Sequence, residues 1–444
     1  MKYFIKTTAF VLLAALALSM TACFRDETSY PGTAEHSNTP SDVTTEQTTQ
    51  AETEKPAPPE VIVGEEEMKW INLHGNADSV IMTGEEIAAE CERMAAESSK
   101  INDIFSADPA TRTPDVIRAD IDAYGSLPAV GYDREGRVID EAYKADIMKK
   151  RNMDAVGEYP VIRGIVTARA NLRSFPDHKP YRKSADNQYD SLQQTELHYG
   201  TPVLVLHQSL DGKYYFVEAY NYKGWVDSSR IAVTEDAALW EKFVSPEQYV
   251  RITATSVYLT NHEVDMGVKL PLVRDRGDRY DVTVPLRRED GRLATNYQTV
   301  CAEYAVIGDL PYTYENFIVQ AFKYKGIMYS WGGLDHGVDC SGFISNVMRT
   351  FGFMLPRDTK DQQNVVGTAQ DVKGKGHAEI AAVLAQTDAP TAVYTPGHVM
   401  FYLGYDAVTG QYSFIHAPQI GESVSVTTKT DLSAVTYICE FKKR

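Results

Sequence analysis

Residues 329–353 read YSWGGLDHGVDCSGFISNVMRTFGF. They place a cysteine, Cys340, in the first turn of an expected helix. Asp339 suits the N-cap, and Phe343, Ile344, Val347, Met348 and Phe351 recur on one face at helical spacing. Gly352 follows the last apolar position, where a left-handed C-terminal cap calls for glycine. A thiol at a helix N-terminus feels the positive end of the dipole, which favours the attacking thiolate. The alternative is an inert buried thiol, the commoner state of a free cysteine. A base downstream decides between the two.

Two histidines lie there, among only ten in the 444 residues. HVMFYLGYD starts at His398 and QYSFIHAP contains His416; both runs are aromatic and β-branched, with Asp406 and Gly410 marking the turn between them. A hairpin centred on Ala407 pairs Gly404 with Gly410, Tyr402 with Tyr412, Met400 with Phe414 and His398 with His416. Opposed Cβ atoms lie about 4.5–5.5 Å apart, so the imidazoles would sit side by side. That suits a base, His398, whose second nitrogen is held by an orienting partner, His416.

The helix start DCSGF, the preceding YSWGG, the strand PGHVMFYLG and the later IHA together resemble the NlpC-type cysteine peptidases of bacterial cell walls. The resemblance covers roughly residues 310 to 444. It implies an α+β, papain-like core in which a cysteine helix packs on an antiparallel sheet carrying the histidine. It further implies Cys340 as nucleophile, His398 as base, His416 as third residue, and Tyr329 beside the thiolate helping to hold the oxyanion. The segment LPRDTKDQQ is similar to the family's substrate loop, so Asp358 and Thr359, with Asp339 and Ser341, are expected to contact the peptide. Residues 364–395 depart from the pattern: the compact Pro-Gly-Asp turn of simpler members is missing.

The N-terminus points to export. Lys2 and Lys6 precede AFVLLAALALSM, then Thr21-Ala22-Cys23. A basic start, a short apolar run and small residues before a cut describe a secretory leader rather than a membrane span. Cysteine after the cut resembles a lipoprotein signal, which implies acylation of Cys23, and several acyl chains give durable attachment. Residues 24 to about 66 are rich in Thr, Glu, Ser and Pro and carry no apolar periodicity. They are expected to be a disordered tether spanning about 30–40 Å. The five cysteines, Cys23, Cys91, Cys301, Cys340 and Cys439, make no disulfide scaffold, and no Cys-x-x-Cys or His-Glu-x-x-His metal signature occurs. A formal charge of −17 argues against nucleic-acid binding.

The chain is too long for one core. Residues 67–160 read as a helical domain, with a capping box at Thr83 and Glu86, a stripe through Ile87, Cys91 and Met94, and a Thr113-Pro114 helix start. From Val161 the texture turns to short strands. Asp211-Gly212 marks a hairpin, and YYFVEAYNYKGWV resembles a bacterial SH3-like barrel. Alternation around Gly277-Asp278 suggests a second one. The expected division is a leader at 1–22, the tether at 23–66, the helical domain at 67–160, barrels at 161–240 and 241–305, and the NlpC-type domain at 306–444.

The reading that follows is a peptidase of peptidoglycan stem peptides or muropeptides, cutting between D-γ-glutamate and the next diamino acid. It acts as a monomer held to the membrane through lipid, facing the wall or periplasm, with neither metal nor organic cofactor. Where a barrel abuts the catalytic domain, the resemblance implies a closed cleft that selects a free L-alanine amine. Asp358 and two residues near SLQQTELHYG, Glu196 and Tyr199, are the candidates to surround it. The competing readings are an inactive wall-binding lipoprotein and an acyltransferase or amidase on the same fold. The first is disfavoured by the presence of Cys340, His398, His416 and Tyr329, and the second by the polar loop after Leu355.

Overall fold

The computed structural model describes residues 63–105, 109–259 and 261–444. The leader, Cys23 and the tether up to residue 62 lie outside the described residues. The last residues assigned to the tether enter a short helix, Glu65–Ile71. The helix Gly84–Glu97 opens on the capping box of Thr83 and Glu86, Pro114–Asp122 on Thr113 with proline in its first turn, and Glu141–Lys150 on Asp140. These helices build no core of their own. Ile87 and Met94 join the C-terminal core, while Ile117 and Ile121 pack with Leu204, Phe216 and Trp225 of the strands that follow.

Two β units come next. Seven antiparallel strands between Ile162 and Thr234 surround Val166, Leu172, Val203, Val217, Val226 and Ile231. Gly212 takes φ +70° in the turn before the strand Tyr214–Ala219, the conformation glycine adopts at no steric cost. A five-stranded sheet between Tyr249 and Ile307 has its own core around Ile252, Leu270, Val282 and Val300.

The C-terminal part is α+β. Its six antiparallel strands run in spatial order Thr368–Asp371, Tyr437–Glu440, Thr391–Thr395, His398–Asp406, Gln411–His416 and Ser425–Lys429. The long segment 364–395 supplies the edge strand and the helix His377–Leu384. Helices Tyr314–Phe322 and Cys340–Arg349 cover one face, where Phe317 and Phe343 meet Phe401 edge-on at 4.8 and 5.6 Å between ring centroids. The Cys340 helix is buried except at Arg349, more deeply than a one-faced stripe requires. Gly352 closes it at φ +98°.

The hairpin register differs from the expected one. Phe401 faces Ile415 and Tyr402 faces Phe414, with a bulge before Gly404 pairs with Ser413. Continued outward, that register sets Met400 opposite His416, so His398 is one diagonal step away. The shift is even, so both histidines keep the same face.

Candidate active site

Cys340 begins its helix with Asp339 as N-cap; the Asp339 Oδ1 accepts from the Gly342 N–H at 2.7 Å. The thiol lies 3.7 Å from the Thr359 hydroxyl and beside the backbone N–H of Val399, the residue after His398. Burial, reinforced by the Asp339 charge, pushes the thiol up to about 11. The dipole alone therefore does not leave a resting thiolate, contrary to the sequence expectation, and the proton must be taken by a base.

His398 Nε2 is 2.7 Å from His416 Nδ1, and His416 Nε2 is 2.8 Å from the Thr427 hydroxyl. This chain leaves Nδ1 as the remaining ring nitrogen of His398. For Nδ1 to act as a base, Nε2 must carry the proton and donate to His416, which in turn donates to Thr427. Burial lowers His398 to about 4, and burial together with its neighbour lowers His416 to about 3. Tyr329 is buried in the same core as Cys340, and burial followed by the Asp339 and Cys340 charges raises its phenol. The phenol therefore stays protonated and able to donate.

Arg357, which the sequence reading passed over, organises the base of the site. Its guanidinium donates to Asp339 at 2.7 and 3.1 Å, to the Ser341 hydroxyl at 2.9 Å, to Thr195 at 2.6 Å and to Glu196 at 3.4 Å. All these groups are buried. Asp339 and Ser341 are thus engaged beneath the cleft rather than presented to a peptide. Glu196 is at the barrel contact as expected, but its carboxylate is spent: despite burial, Arg357 and His198 hold it well below the usual carboxylate range. Tyr199 lies elsewhere, with its hydroxyl donating to the Pro285 carbonyl at 2.7 Å within the second β unit's core.

The loop before the helix is locked from the barrel side. Gly332, Gly333, Asp335 and His336 all have left-handed backbone, at φ +57, +72, +52 and +64°. Gln193 donates to the Gly332 carbonyl at 3.0 Å, and Arg169 to those of Gly333 and Gly337 at 3.0 and 3.1 Å. The Gly332 N–H reaches Asp339 at 3.0 Å. His336 pairs with Glu263 of the second β unit. A Cβ on Gly333 would lie 2.0 Å from the Glu196 carboxylate.

A cysteine on a helix start, a histidine pair on two adjacent strands of the facing sheet and a strand-rich unit abutting both agree with what the comparisons find. Residues 326–439 match the NlpC/P60 family, and residues 178–227 match an SH3 domain of the SH3b1 type. Residues 326–439 are an NlpC/P60 domain. The chain is accordingly an enzyme, a cysteine peptidase of the cell-wall hydrolases. It is 22% identical over 290 residues to a γ-D-glutamyl-L-lysine dipeptidyl-peptidase of Bacillus subtilis, covering 61% of this chain and 88% of that one. It is 25% identical over 250 residues to dipeptidyl-peptidase 6 of Lysinibacillus sphaericus, covering 52% and 83%. In fold it matches an NlpC/P60 endopeptidase from Photobacterium damselae subsp. piscicida at TM-score 0.68 and 18% identity, covering 88% of this chain and all of that one.

At the rim of the NlpC/P60 domain, Asp358 has a partly exposed side chain and a carboxyl raised first by burial. The Tyr222 hydroxyl of the SH3 domain donates to Gln194 Oε1 at 3.0 Å and lies 3.5 Å from Asp358 Oδ2. Tyr222 and Gln194 carried no sequence signal beyond their place on barrel strands, and Thr427 none beyond strand alternation. Arg357 stands next to Asp358 inside the loop motif, which is the one hint of its role. Among the described residues there is no metal-ligating cluster, and no helix is long and apolar enough to cross a membrane.

Proposed function

We propose that this enzyme hydrolyses the bond between D-γ-glutamate and the following diamino acid in peptidoglycan stem peptides, through Cys340, His398 and His416. The observation that carries this reading is the relay His398–His416–Thr427, which runs across three adjacent strands of the sheet that packs on the Cys340 helix. Relatives named for cleaving γ-D-glutamyl-L-lysine support the substrate class. The Cys340 proton passes to His398 Nδ1 as sulfur attacks the γ-carbonyl carbon. The backbone N–H of Cys340 and the Tyr329 hydroxyl receive the oxyanion, each donor contributing roughly 2.7–4 kcal/mol. The imidazolium then protonates the leaving amine, and water releases the acyl-enzyme with His398 as base.

The same reading includes selection of a free N-terminal L-alanine. Asp358, Tyr222 and Gln194 replace Glu196 and Tyr199 as the groups that meet the ammonium. Asp358 supplies its counter-charge, because the Glu196 carboxylate is already paired with Arg357. Acylating the amine leaves Asp358 facing a neutral amide, at a cost of roughly 2–5 kcal/mol. The test is product mass spectrometry on L-Ala-γ-D-Glu-diaminopimelate and its N-acetyl form. Cleavage at the γ-bond of the free peptide alone is expected, with Asp358→Asn eroding the preference; equal rates on both peptides would refute the amine pocket.

Attachment through acylated Cys23 belongs to the same proposal. Fatty-acid labelling of the wild type that disappears in Cys23→Ser is the expected outcome.

A further inference from the structure

A cavity of about 440 Å³ lies where the first barrel, the second β unit and the far side of the Cys340 helix meet. That volume is in the range of small-molecule pockets, roughly 300–1,000 Å³. Neither Cys340, His398 nor Tyr329 borders it, so it is not the cleft described above. Part of its wall is apolar, from Leu197, Val244 and Met354. Besides neutral polar groups, the cavity is lined by charges, Arg251, Lys269, Arg349 and Arg357 against the carboxylates of Glu196 and Asp309.

The two carboxylates are taken. Asp309 accepts from Arg251 at 2.7 Å and Glu196 from Arg357 at 3.4 Å. Arg349 donates to His198 Nδ1 at 2.9 Å, the Asn346 side-chain Oδ1 at 3.3 Å and the Tyr220 hydroxyl at 3.2 Å. Lys269 donates to the Val244 carbonyl at 2.8 Å. Among the described residues neither cation makes a hydrogen bond or ion pair to a carboxylate; Glu196 acts on Arg349, and Asp309 and Glu241 on Lys269, only through space.

The cations are also crowded. Lys269 and Arg251 share the Tyr249 ring, at 5.2 and 5.4 Å from its centroid. Arg251 donates to the Gly267 carbonyl at 2.9 Å, and the Arg349 stem packs on that glycine. Burial and then the Arg251 charge lower Lys269 to about 8. Buried charges in globular proteins are normally paired, because an unpaired one forfeits its hydration without return. Lys269 and Arg349 are only partly buried, yet two such cations facing one cavity without an ion-pair partner define a site whose missing component is negative.

We propose that this cavity binds a small organic anion, bearing carboxylate or phosphate groups, whose charge is met by Arg349 and Lys269. Its apolar wall takes the carbon part of the ligand. Arg357 and Glu196 form another wall, so the anion would also touch the network that caps the nucleophile helix.

Calorimetric titration of the full chain with citrate and, separately, inorganic phosphate tests this, with glycerol as the uncharged control. Saturable binding of one or both anions is expected, and which one binds distinguishes the carboxylate from the phosphoryl source. Lys269→Gln keeps a donor for the Val244 carbonyl and should weaken binding by about tenfold or more, while tripeptide hydrolysis without anion is unchanged. Arg349→Gln should weaken it likewise; if that variant does not fold, Lys269→Gln decides. No binding of either anion, or unaltered affinity in Lys269→Gln, overturns the proposal.

Discussion

At the scale of single residues, the thiol near 11 and the histidine near 4 define a neutral resting pair rather than a preformed ion pair. The kcat/KM profile should therefore hold well below pH 6.5 and fall only as His398 protonates near 4. The alkaline limb should come from the substrate amine, about pH 8, if the ammonium is recognised. An acid limb at 6.5 or above would contradict the buried, neutral base. Stability follows the same sign. Both histidines have depressed values, so below about 6.5 the unfolded chain binds protons that the fold refuses, and stability falls with pH at up to about 1.4 kcal/mol per unit per histidine. Replacing His416 by Gln should flatten that slope in thermal melts from pH 7 to 4. Cys340→Ala should abolish turnover and His398→Ala nearly so. His416→Ala should keep a residue of activity, because an orienting group contributes less than the base it orients. Thr427→Val, which breaks the last link of the relay, should lower kcat about tenfold with little change in KM, checked by steady-state kinetics.

At the scale of elements, the Cys340 helix was legible because capping, periodicity and the closing glycine all pointed one way. The hairpin was legible in its face but not its register. The bulge before Gly404 adds a residue to one strand, and no feature of YDAVTGQ announces it. Arg357 escaped because its role depends on a partner far away in sequence, Thr195, and Thr427 because strand alternation does not say that it meets His416 on the adjacent strand. The helical N-terminal region was legible as helices but not as a brace, since apolar stripes do not say which neighbour they meet. The loop 332–337 makes its own prediction. Gly333→Ala imposes a left-handed backbone on alanine and drives its Cβ into Glu196. Destabilisation by about 2–4 kcal/mol is expected, with a fall in kcat larger than the change in KM because the nucleophile's mount shifts; melting curves and kinetics read the two effects separately.

At the scale of the whole molecule, the buried set Asp339, Arg357, Glu196 and His198 ties the nucleophile helix to the barrel. Removing one member strands its partner's charge, so Arg357→Met should cost about 3–5 kcal/mol. The double variant with Glu196→Gln should cost less than the sum, measurable as a coupling in denaturant melts. The left-handed loop clamped by Gln193, Arg169 and Glu263 carries a further consequence, one of timing. Its clamps come from segments separated by many residues, and the base relay is completed only at Thr427, near the C-terminal end. A chain that has not yet folded thus has a cysteine but no working centre. The hydrolase is expected to gain activity only once its last strands and both β units have docked.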